Sequence, residues 1–153
     1  MKTLLTVPLR SKRPQDIERE LKVKRKGVDA YEIWIDALPK TLQTPELLEG
    51  FFKHWRKQTK CKLIAVCKNR MEQGTYAGSD KKKVDLLFAV APFVDFIDVG
   101  LHTDREEIRR LKKGKKKAKL TISHHDFKKT PGAIELKNIV KNAMKQGADI
   151  IKI

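Results

Sequence analysis

The feature that most constrains the fold is a regular alternation of short extended segments with longer helical ones. Apolar runs rich in β-branched and aromatic residues, which are typical of buried strands, recur along the whole chain. They occupy residues 3–7, 30–36, 61–66, 94–99, 119–123 and 149–153. Helical periodicity between them predicts five helices, at 14–26, 44–57, 79–91, from 103 onward and 130–147. Strict alternation of this kind implies a parallel sheet with helical crossovers.

Helix-start signals support these boundaries. Thr44 is followed by proline at the first helical position, and Ser79 precedes an apolar periodic segment. The sequence Thr-Asp-Arg-Glu at 103–106 has the pattern of a capping box with Thr103 as the cap. Thr130-Pro131 predicts the start of the last helix. These signals predict six strands and five helices in one domain, since no linker divides the chain.

Two α/β architectures fit this order of elements. A three-layer doubly wound sheet would be complete at 153 residues. A (β/α)8 barrel would not, because such barrels typically need about 250 residues. The glycine-rich phosphate loops of open α/β sheets, G-x-G-x-x-G and G-x-x-x-x-G-K-[ST], do not occur. Composition and periodicity leave both architectures open.

The chain carries a formal net charge of +16, for which nucleic-acid binding is the obvious functional interpretation. The alternative is a lysine-rich solvated surface. The densest basic run, LKKGKKKAKL at 111–120, contains no aromatic residue on which a base could stack. Its lysines also lack the bidentate geometry that base readout favours. The pattern therefore favours the solvated surface over a nucleic-acid partner.

The apolar segments are too short for a membrane protein. The longest, at 86–94, is interrupted by Pro92 and falls far short of the ~20 residues that a transmembrane helix needs. The N-terminus offers only residues 4–9 before charge resumes, without the pattern of a secretory leader. We therefore expect a cytoplasmic protein that has no membrane partner.

Polar residues collect at the predicted carboxyl ends of the strands, where chemistry sits in parallel α/β folds. In chain order they are Glu32, Asp36, Lys68, Asn69, Arg70, Glu72, Asp98, His102, Ser123, His124, His125, Asp126 and Lys152. This clustering predicts a functional site at that edge of the sheet.

Lys152 stands out because its segment, DIIKI, otherwise reads as a buried strand. An edge strand or a fraying end would leave its ammonium in solvent, as is usual for lysine. A desolvated lysine would instead have a lowered pKa and be neutral part of the time. Such an amine can attack a carbonyl and form a Schiff base.

His124 and His125 are adjacent, so on an extended chain their side chains face opposite sides. That disfavours a shared metal, and no carboxylate stands at zinc-site spacing, so we expect no metal site. One histidine can point inward, beside a lysine on the neighbouring strand. Such a pair can divide the work, with the lysine holding a substrate as an imine while the histidine moves protons.

Five segments resemble a known family. YEIWID is similar to an E-x-R-x-D strand, VCKNRMEQGTYAGSD to T-x-R-x-x-x-E-G-G-x-x-x-G-[ST]-E, and VDFIDVGL to D-x-[IV]-D-[IVL]-E-[LI]. SHHDFKKTP is similar to S-x-H-D-F-x-x-T-P, and GADIIKI to A-D-I-x-K-[IL]. Together these motifs resemble type I 3-dehydroquinate dehydratase, the Schiff-base (β/α)8-barrel hydro-lyase of the shikimate pathway of aromatic amino acid biosynthesis.

The resemblance implies a role for individual residues and needs no cofactor. His125 would be the general acid/base, Lys152 the imine-forming lysine, and Glu72 the carboxylate beside the catalytic histidine. Glu32 and Lys68 would bind the small-molecule substrate, 3-dehydroquinate.

Three positions depart from the family motifs. The strand-two arginine is Trp34 here, the strand-three arginine is Lys68, and the strand-four glutamate is Gly100. Lys68 keeps the charge but loses bidentate geometry. The departures imply a changed affinity for substrate.

The chain ends one residue after Lys152, so the resemblance implies a partial (β/α)8 barrel. We expect residues 1–153 to form a single incomplete barrel domain of about five and a half βα units with six parallel strands. Exposed edge strands would favour aggregation or a homodimer, and this polypeptide alone would be inactive. Two alternatives remain: another Schiff-base, aldolase-like barrel, and a basic nucleic-acid-binding protein on the same scaffold.

Overall fold

The computed structural model describes residues 3–153 as alternating strands and helices. The strands are β1 (Thr6–Leu9), β2 (Ala30–Trp34), β3 (Lys62–Val66), β4 (Phe96–Gly100), β5 (Lys119–Ser123) and β6 (Ile150–Lys152). The helices are α1 (Pro14–Lys22), α2 (Pro45–Arg56), α3 (Asp80–Val90), α4 (Arg105–Gly114) and α5 (Ala133–Lys145). The predicted number and order of elements are confirmed.

The six strands form one parallel sheet whose spatial order follows the sequence, from β1 to β6. In a doubly wound sheet the strands are also parallel, but their spatial order reverses at a switch point near the middle of the sheet. Sequential order is the arrangement of a (β/α)8 barrel, so the structure decides between the two architectures that the sequence left open. Within residues 3–153, the outer edges of β1 and β6 have no pairing strand.

Several element boundaries differ from the sequence prediction. β1 begins at Thr6 rather than at residue 3, and α5 begins at Ala133 rather than at Thr130. The chain before α5 instead forms a turn in which Asp126 accepts backbone hydrogen bonds from residues 128 and 129. Thr103 is not the cap of α4. The cap is Asp104, whose carboxylate accepts the backbone N–H groups of Glu106 and Glu107, the second and third residues of the helix.

The hydroxyl of Thr103 is occupied elsewhere, because it accepts a 2.9 Å hydrogen bond from the ammonium of Lys83. Lys83 lies in α3 and is only 1% exposed. Its Nζ also lies 2.8 Å from a carboxylate oxygen of Asp80. The start of α3 is thereby tied to the start of α4.

The two faces of the sheet differ in chemistry because successive strand residues alternate between faces. One face packs against the helices and is apolar, with Ile33, Leu63, Ala65, Ile97 and Leu120 fully buried at paired positions. Buried helix residues complete this core: Ile17, Leu48, Phe52, Trp55, Leu87 and Ile108. The opposite face, corresponding to a barrel interior, carries the polar residues.

Three aspartates fix the amino end of the sheet at intervals of two strands. Asp29, Asp95 and Asp149 directly precede β2, β4 and β6. Each carboxylate accepts a backbone N–H near the start of the preceding odd-numbered strand: that of Leu5 at 3.0 Å, Leu63 at 3.0 Å and Leu120 at 2.7 Å. We call these residues the aspartate clamps. They fix the register of neighbouring strands at the end opposite the polar cluster.

Candidate active site

Lys152 lies between two carboxylates contributed by distant strands. Its Nζ donates to Oε2 of Glu32 at 2.8 Å and to Oδ2 of Asp98 at 3.2 Å. Both carboxylates are buried, whereas the lysine side chain is 39% exposed. The three side chains line a cavity of about 620 Å³ on the polar face of the sheet. The structure therefore brings together two residues singled out from the sequence, Glu32 and Lys152.

Of the two interpretations of Lys152, the one with a lowered pKa is wrong. Burial does favour the neutral amine, but the charges of Asp98 and Glu32 and their hydrogen bonds to Nζ outweigh burial. The pKa of Lys152 is raised above its ordinary value of 10.5. The resting side chain is therefore a charged ammonium, and one of its partners must take a proton before the amine can attack a carbonyl.

Trp34 shares the carboxylate of Glu32 with the lysine. Its indole Nε1 donates to Oε1 of Glu32 at 2.9 Å, so each carboxylate oxygen has one donor. The ring also lies near two cations, with Nζ of Lys68 5.7 Å and the guanidinium carbon of Arg10 4.1 Å from ring centroids. At this departure from the family motif, an indole orients Glu32 where the family has an arginine.

A second charged group consists of Lys68, Glu72 and His125. Glu72 Oε1 lies 3.7 Å from Nζ of Lys68 and 4.0 Å from Nδ1 of His125. Lys68 and Glu72 are buried, and neither Lys68 Nζ nor Glu72 Oε1 has a hydrogen-bond partner within residues 3–153. Buried polar atoms without hydrogen-bond partners are costly, so a polar ligand that paired with these two atoms would relieve that cost.

The pKa of His125 is lowered, first by burial and then by the positive charges of Lys68 and Lys152. Asp98 and Glu32 act in the opposite direction but do not reverse the shift. At neutral pH the imidazole is therefore an unprotonated base. The ring of His124 has a different neighbour and lies 5.6 Å from that of His102.

The loop after β3 presents Lys68 and Glu72 because Asp36 holds its two ends. Asp36 accepts the backbone N–H groups of Lys68 at 2.8 Å and Thr75 at 2.9 Å. Gly74 permits the tight return, since a Cβ there would lie 2.0 Å from the carbonyl oxygen of Lys68.

The surroundings of Gly100 explain why a glycine stands where the family motif has a glutamate. A Cβ at this position would lie 2.6 Å from Oε1 of Glu72 and 2.8 Å from its Cδ. The space that a strand-four side chain would fill is therefore occupied by the Glu72 carboxylate itself. The absent side chain allows Glu72 to lie over β4, within reach of His125.

Two residues of this region were given no role from the sequence. Asp98 was noted only as a polar strand residue, although a carboxylate on the same face as Glu32 could have marked it as a partner for Lys152. Arg10 had no signal, because its place over Trp34 depends on the path of the β1–α1 connection. Among residues 3–153, no group of three His, Cys, Asp or Glu side chains is arranged to hold a metal ion.

Comparisons with known proteins agree with this geometry. A sequence model of the Type I 3-dehydroquinase family matches residues 5–153. The chain is 32% identical to the 3-dehydroquinate dehydratase of Methanothermobacter thermautotrophicus, over all of this chain and 66% of that protein. It is 30% identical to the enzyme of the same name from Methanobrevibacter smithii, over 99% of this chain and 64% of that protein. The chain thus spans just under two thirds of the length of these curated relatives.

Solved structures show the same likeness. A type I 3-dehydroquinate dehydratase from Clostridium difficile, solved with covalently modified comenic acid, superposes with a TM-score of 0.89 at 27% identity. The superposition covers 97% of this chain and 60% of that one. Deoxyribose phosphate aldolase from Aeropyrum pernix shares the fold at a TM-score of 0.62 and 16% identity, over 97% of this chain and 60% of that one.

No helix within residues 3–153 has the length and apolar character needed to cross a bilayer. The family model covers nearly the whole chain, and both the relatives and the solved structures agree with it. The chain belongs to the type I 3-dehydroquinase family.

Proposed function

We propose that this chain carries the catalytic lysine and histidine of a 3-dehydroquinate dehydratase, which converts 3-dehydroquinate to 3-dehydroshikimate through a Schiff base in the shikimate pathway. The observation that supports this most strongly is the pairing of Lys152 with Glu32 and Asp98. A lysine between two carboxylates has a proton acceptor within hydrogen-bond distance, which its attack on a ketone requires.

The proposed reaction forms an imine, eliminates a hydroxyl group from the substrate and then hydrolyses the imine. Lys152 gives a proton to a neighbouring carboxylate, and its neutral amine adds to the ring ketone. The carboxylic acid then returns its proton to the new hydroxyl, which leaves as water, and a protonated imine remains. Its positive nitrogen draws electrons from the adjacent carbon and acidifies the C–H bond there. His125 removes that proton and then returns it to the departing hydroxyl, which leaves as a second water molecule. Hydrolysis of the imine consumes one water and frees the lysine and the product.

The remaining charged residues bind and orient in this proposal. Glu72 lies 4.0 Å from His125 and helps to orient its imidazole. Lys68, 2% exposed and without a hydrogen-bond partner in residues 3–153, offers a positive charge to the substrate. Glu32 offers a carboxylate to a substrate hydroxyl once imine formation has replaced the three N–H donors of the lysine ammonium by one. We further propose that residues 1–153 belong to a single barrel domain, of which the six-stranded sheet is part.

Borohydride trapping tests the imine. The protein is incubated with 3-dehydroquinate and borohydride, and intact mass and peptide mapping then locate any reduced adduct. We expect one adduct, on Lys152, and none in Lys152→Ala. Lys119→Ala is the matched control, because Lys119 is an exposed lysine at the opposite end of the sheet. An adduct that forms equally well in Lys152→Ala would contradict the proposal.

The product separates this reaction from the chemistry of an aldolase-like barrel. Dehydration places a carbon–carbon double bond in conjugation with the ketone, which raises ultraviolet absorbance, whereas aldol cleavage yields a free aldehyde. The nucleic-acid alternative has its own signature. Salt-sensitive binding of DNA or RNA that is unchanged in Lys152→Ala, in a protein that traps no imine, would favour it.

A further inference from the structure

A second cavity, separate from the one that contains Lys152, opens among the connections at the carboxyl ends of β1, β2 and β3. Its volume is about 940 Å³. Arg10, Lys12, Lys40 and Lys82 line it, with Leu38 and Tyr76 among the residues of its apolar wall. We call this cavity the basic groove. Its size falls within the usual range for small-molecule sites.

The charge of the basic groove is not balanced by the protein. The four basic side chains come from the β1–α1 connection, the β2–α2 connection and the first turn of α3, and none forms an ion pair within residues 3–153. The one carboxylate that lines the groove is Asp36, and its oxygens already accept the backbone N–H groups of Lys68 and Thr75. Unpaired like charges around a concave site raise the local concentration of anions.

All four basic side chains of the groove are exposed. A smaller cavity of about 430 Å³ is also lined by lysines, but these all lie on one helix, α5. The basic groove differs in that its charges come from three separate segments and include an arginine.

Arg10 is held in position for a ligand. Its guanidinium stacks on Trp34 at 4.1 Å, and one terminal nitrogen donates to the carbonyl of Gln73 at 3.1 Å. These two contacts leave most of its donors available and reduce the entropy lost when they engage an anion. Planar donors of this kind suit the paired oxygens of a phosphate or carboxylate.

We propose that the basic groove binds a small phosphorylated metabolite of nucleotide size, with two or more phosphate groups held by Arg10, Lys40 and Lys82. Cations from three segments match a ligand with more than one anionic centre, and the apolar wall accommodates an uncharged body. A nucleic-acid strand is a poorer match, because Trp34 is covered by Arg10 and Tyr76 is 8% exposed. Neither ring offers a face to a base.

Isothermal titration of the 153-residue chain with tripolyphosphate and with ATP tests the proposal. The Lys40→Ala/Lys82→Ala double variant removes two charges from the groove. The Lys113→Ala/Lys117→Ala double variant removes the same number from the exposed run around the end of α4. We expect the groove double variant to weaken binding of both probes by roughly tenfold or more, since each loses charge-assisted hydrogen bonds. The control should change affinity by less than about twofold.

Arg10→Ala should also weaken binding by roughly tenfold, and Arg10→Lys should recover only part of it because a lysine cannot bind two oxygens side by side. Circular dichroism confirms that each variant is folded before titration. Equal losses in the two double variants would show that phosphate binds the general surface, and would overturn the proposal. Absence of binding to both probes would overturn it as well. Binding of single-stranded DNA that is tighter than binding of ATP, and that weakens equally in both double variants, would also overturn the proposal.

Discussion

Asp98→Asn should make Lys152 a more reactive amine. The substitution keeps the shape of the side chain and removes a negative charge whose Oδ2 lies 3.2 Å from the lysine Nζ. At that distance, two unit charges interact by about 1.3 kcal/mol in water and about 5 kcal/mol at an effective dielectric constant of 20. The lower figure applies, because the lysine side chain is 39% exposed and solvent screens the pair.

A loss of about 1.3 kcal/mol corresponds to a roughly tenfold larger fraction of neutral amine at any pH below the pKa of Lys152. Competitive acetylation at a series of pH values measures this fraction directly and requires no substrate. Labelling is read by mass spectrometry of the peptide that contains Lys152, with the exposed Lys119 of the same digest as the internal reference. The labelling curve of Lys152 should move to lower pH in Asp98→Asn.

Asp85→Asn is the matched control, because Asp85 pairs with Arg110 on the helical side of the sheet. It should leave the Lys152 curve unchanged. An Asp98→Asn curve that coincides with the wild type, or that moves to higher pH, would refute the electrostatic account of this site.

The same ion pair contributes to stability with a defined sign. The folded pKa of Lys152 is raised above 10.5, so the folded state holds this proton more tightly than the unfolded chain does. The contribution is therefore fully present at neutral pH and is lost as pH rises through the raised pKa.

Further predictions concern the histidines, the glycines and the sheet edges. In an active preparation, His125→Ala should cut turnover by about 10²- to 10⁴-fold while imine trapping survives, and His124→Ala should leave turnover nearly unchanged. A larger loss of turnover in His124→Ala than in His125→Ala would mean that the assigned register is wrong by one residue. Lys68→Met should raise the pKa of His125, followed by its imidazole NMR signals, because it removes a neighbouring positive charge; an unchanged titration would contradict this. In urea unfolding, Gly74→Ala should destabilise by about 3 kcal/mol or more, whereas Gly50→Ala, inside α2 with open space, should stabilise by about 0.5–1 kcal/mol; equal effects would argue against the tight loop. Size-exclusion chromatography should show the 153-residue chain as a dimer or aggregate through the free edges of β1 and β6, and a monodisperse monomer would count against edge pairing.

Local signals predicted the fold well wherever neighbouring residues determine the structure. The caps at Thr44 and Ser79 were confirmed, because each side chain accepts an N–H three residues further on. The cap of α4 was misplaced by one residue, because the hydroxyl of Thr103 binds Lys83, 20 residues earlier. Lys83 itself lies in a DKKK run that resembles a solvated surface, and its burial follows from tertiary packing alone.

In the candidate site, too, local patterns predicted some features, while others depend on residues distant in the sequence. Glu32 and Lys152 were placed together from the sequence, and their side chains do meet. His124 and His125 lie beyond the end of β5, so strand alternation does not by itself determine their orientation. The pKa of Lys152 could not be predicted, because its direction depends on carboxylates 54 and 120 residues away in the sequence. Burial of the lysine was the only effect visible in DIIKI, and by itself that effect has the opposite sign.

The aspartate clamps separate the part of the sheet that secures folding from the part that performs chemistry. They fix neighbouring strands at the amino end, and the reactive side chains extend from the carboxyl end. A substitution at the reactive end, such as the tryptophan on β2 or the glycine on β4, therefore does not touch the hydrogen bonds that fix strand register. Such a scaffold tolerates changes of substrate preference without loss of its architecture, which makes the polar face suited to redesign and the clamps the positions to leave untouched.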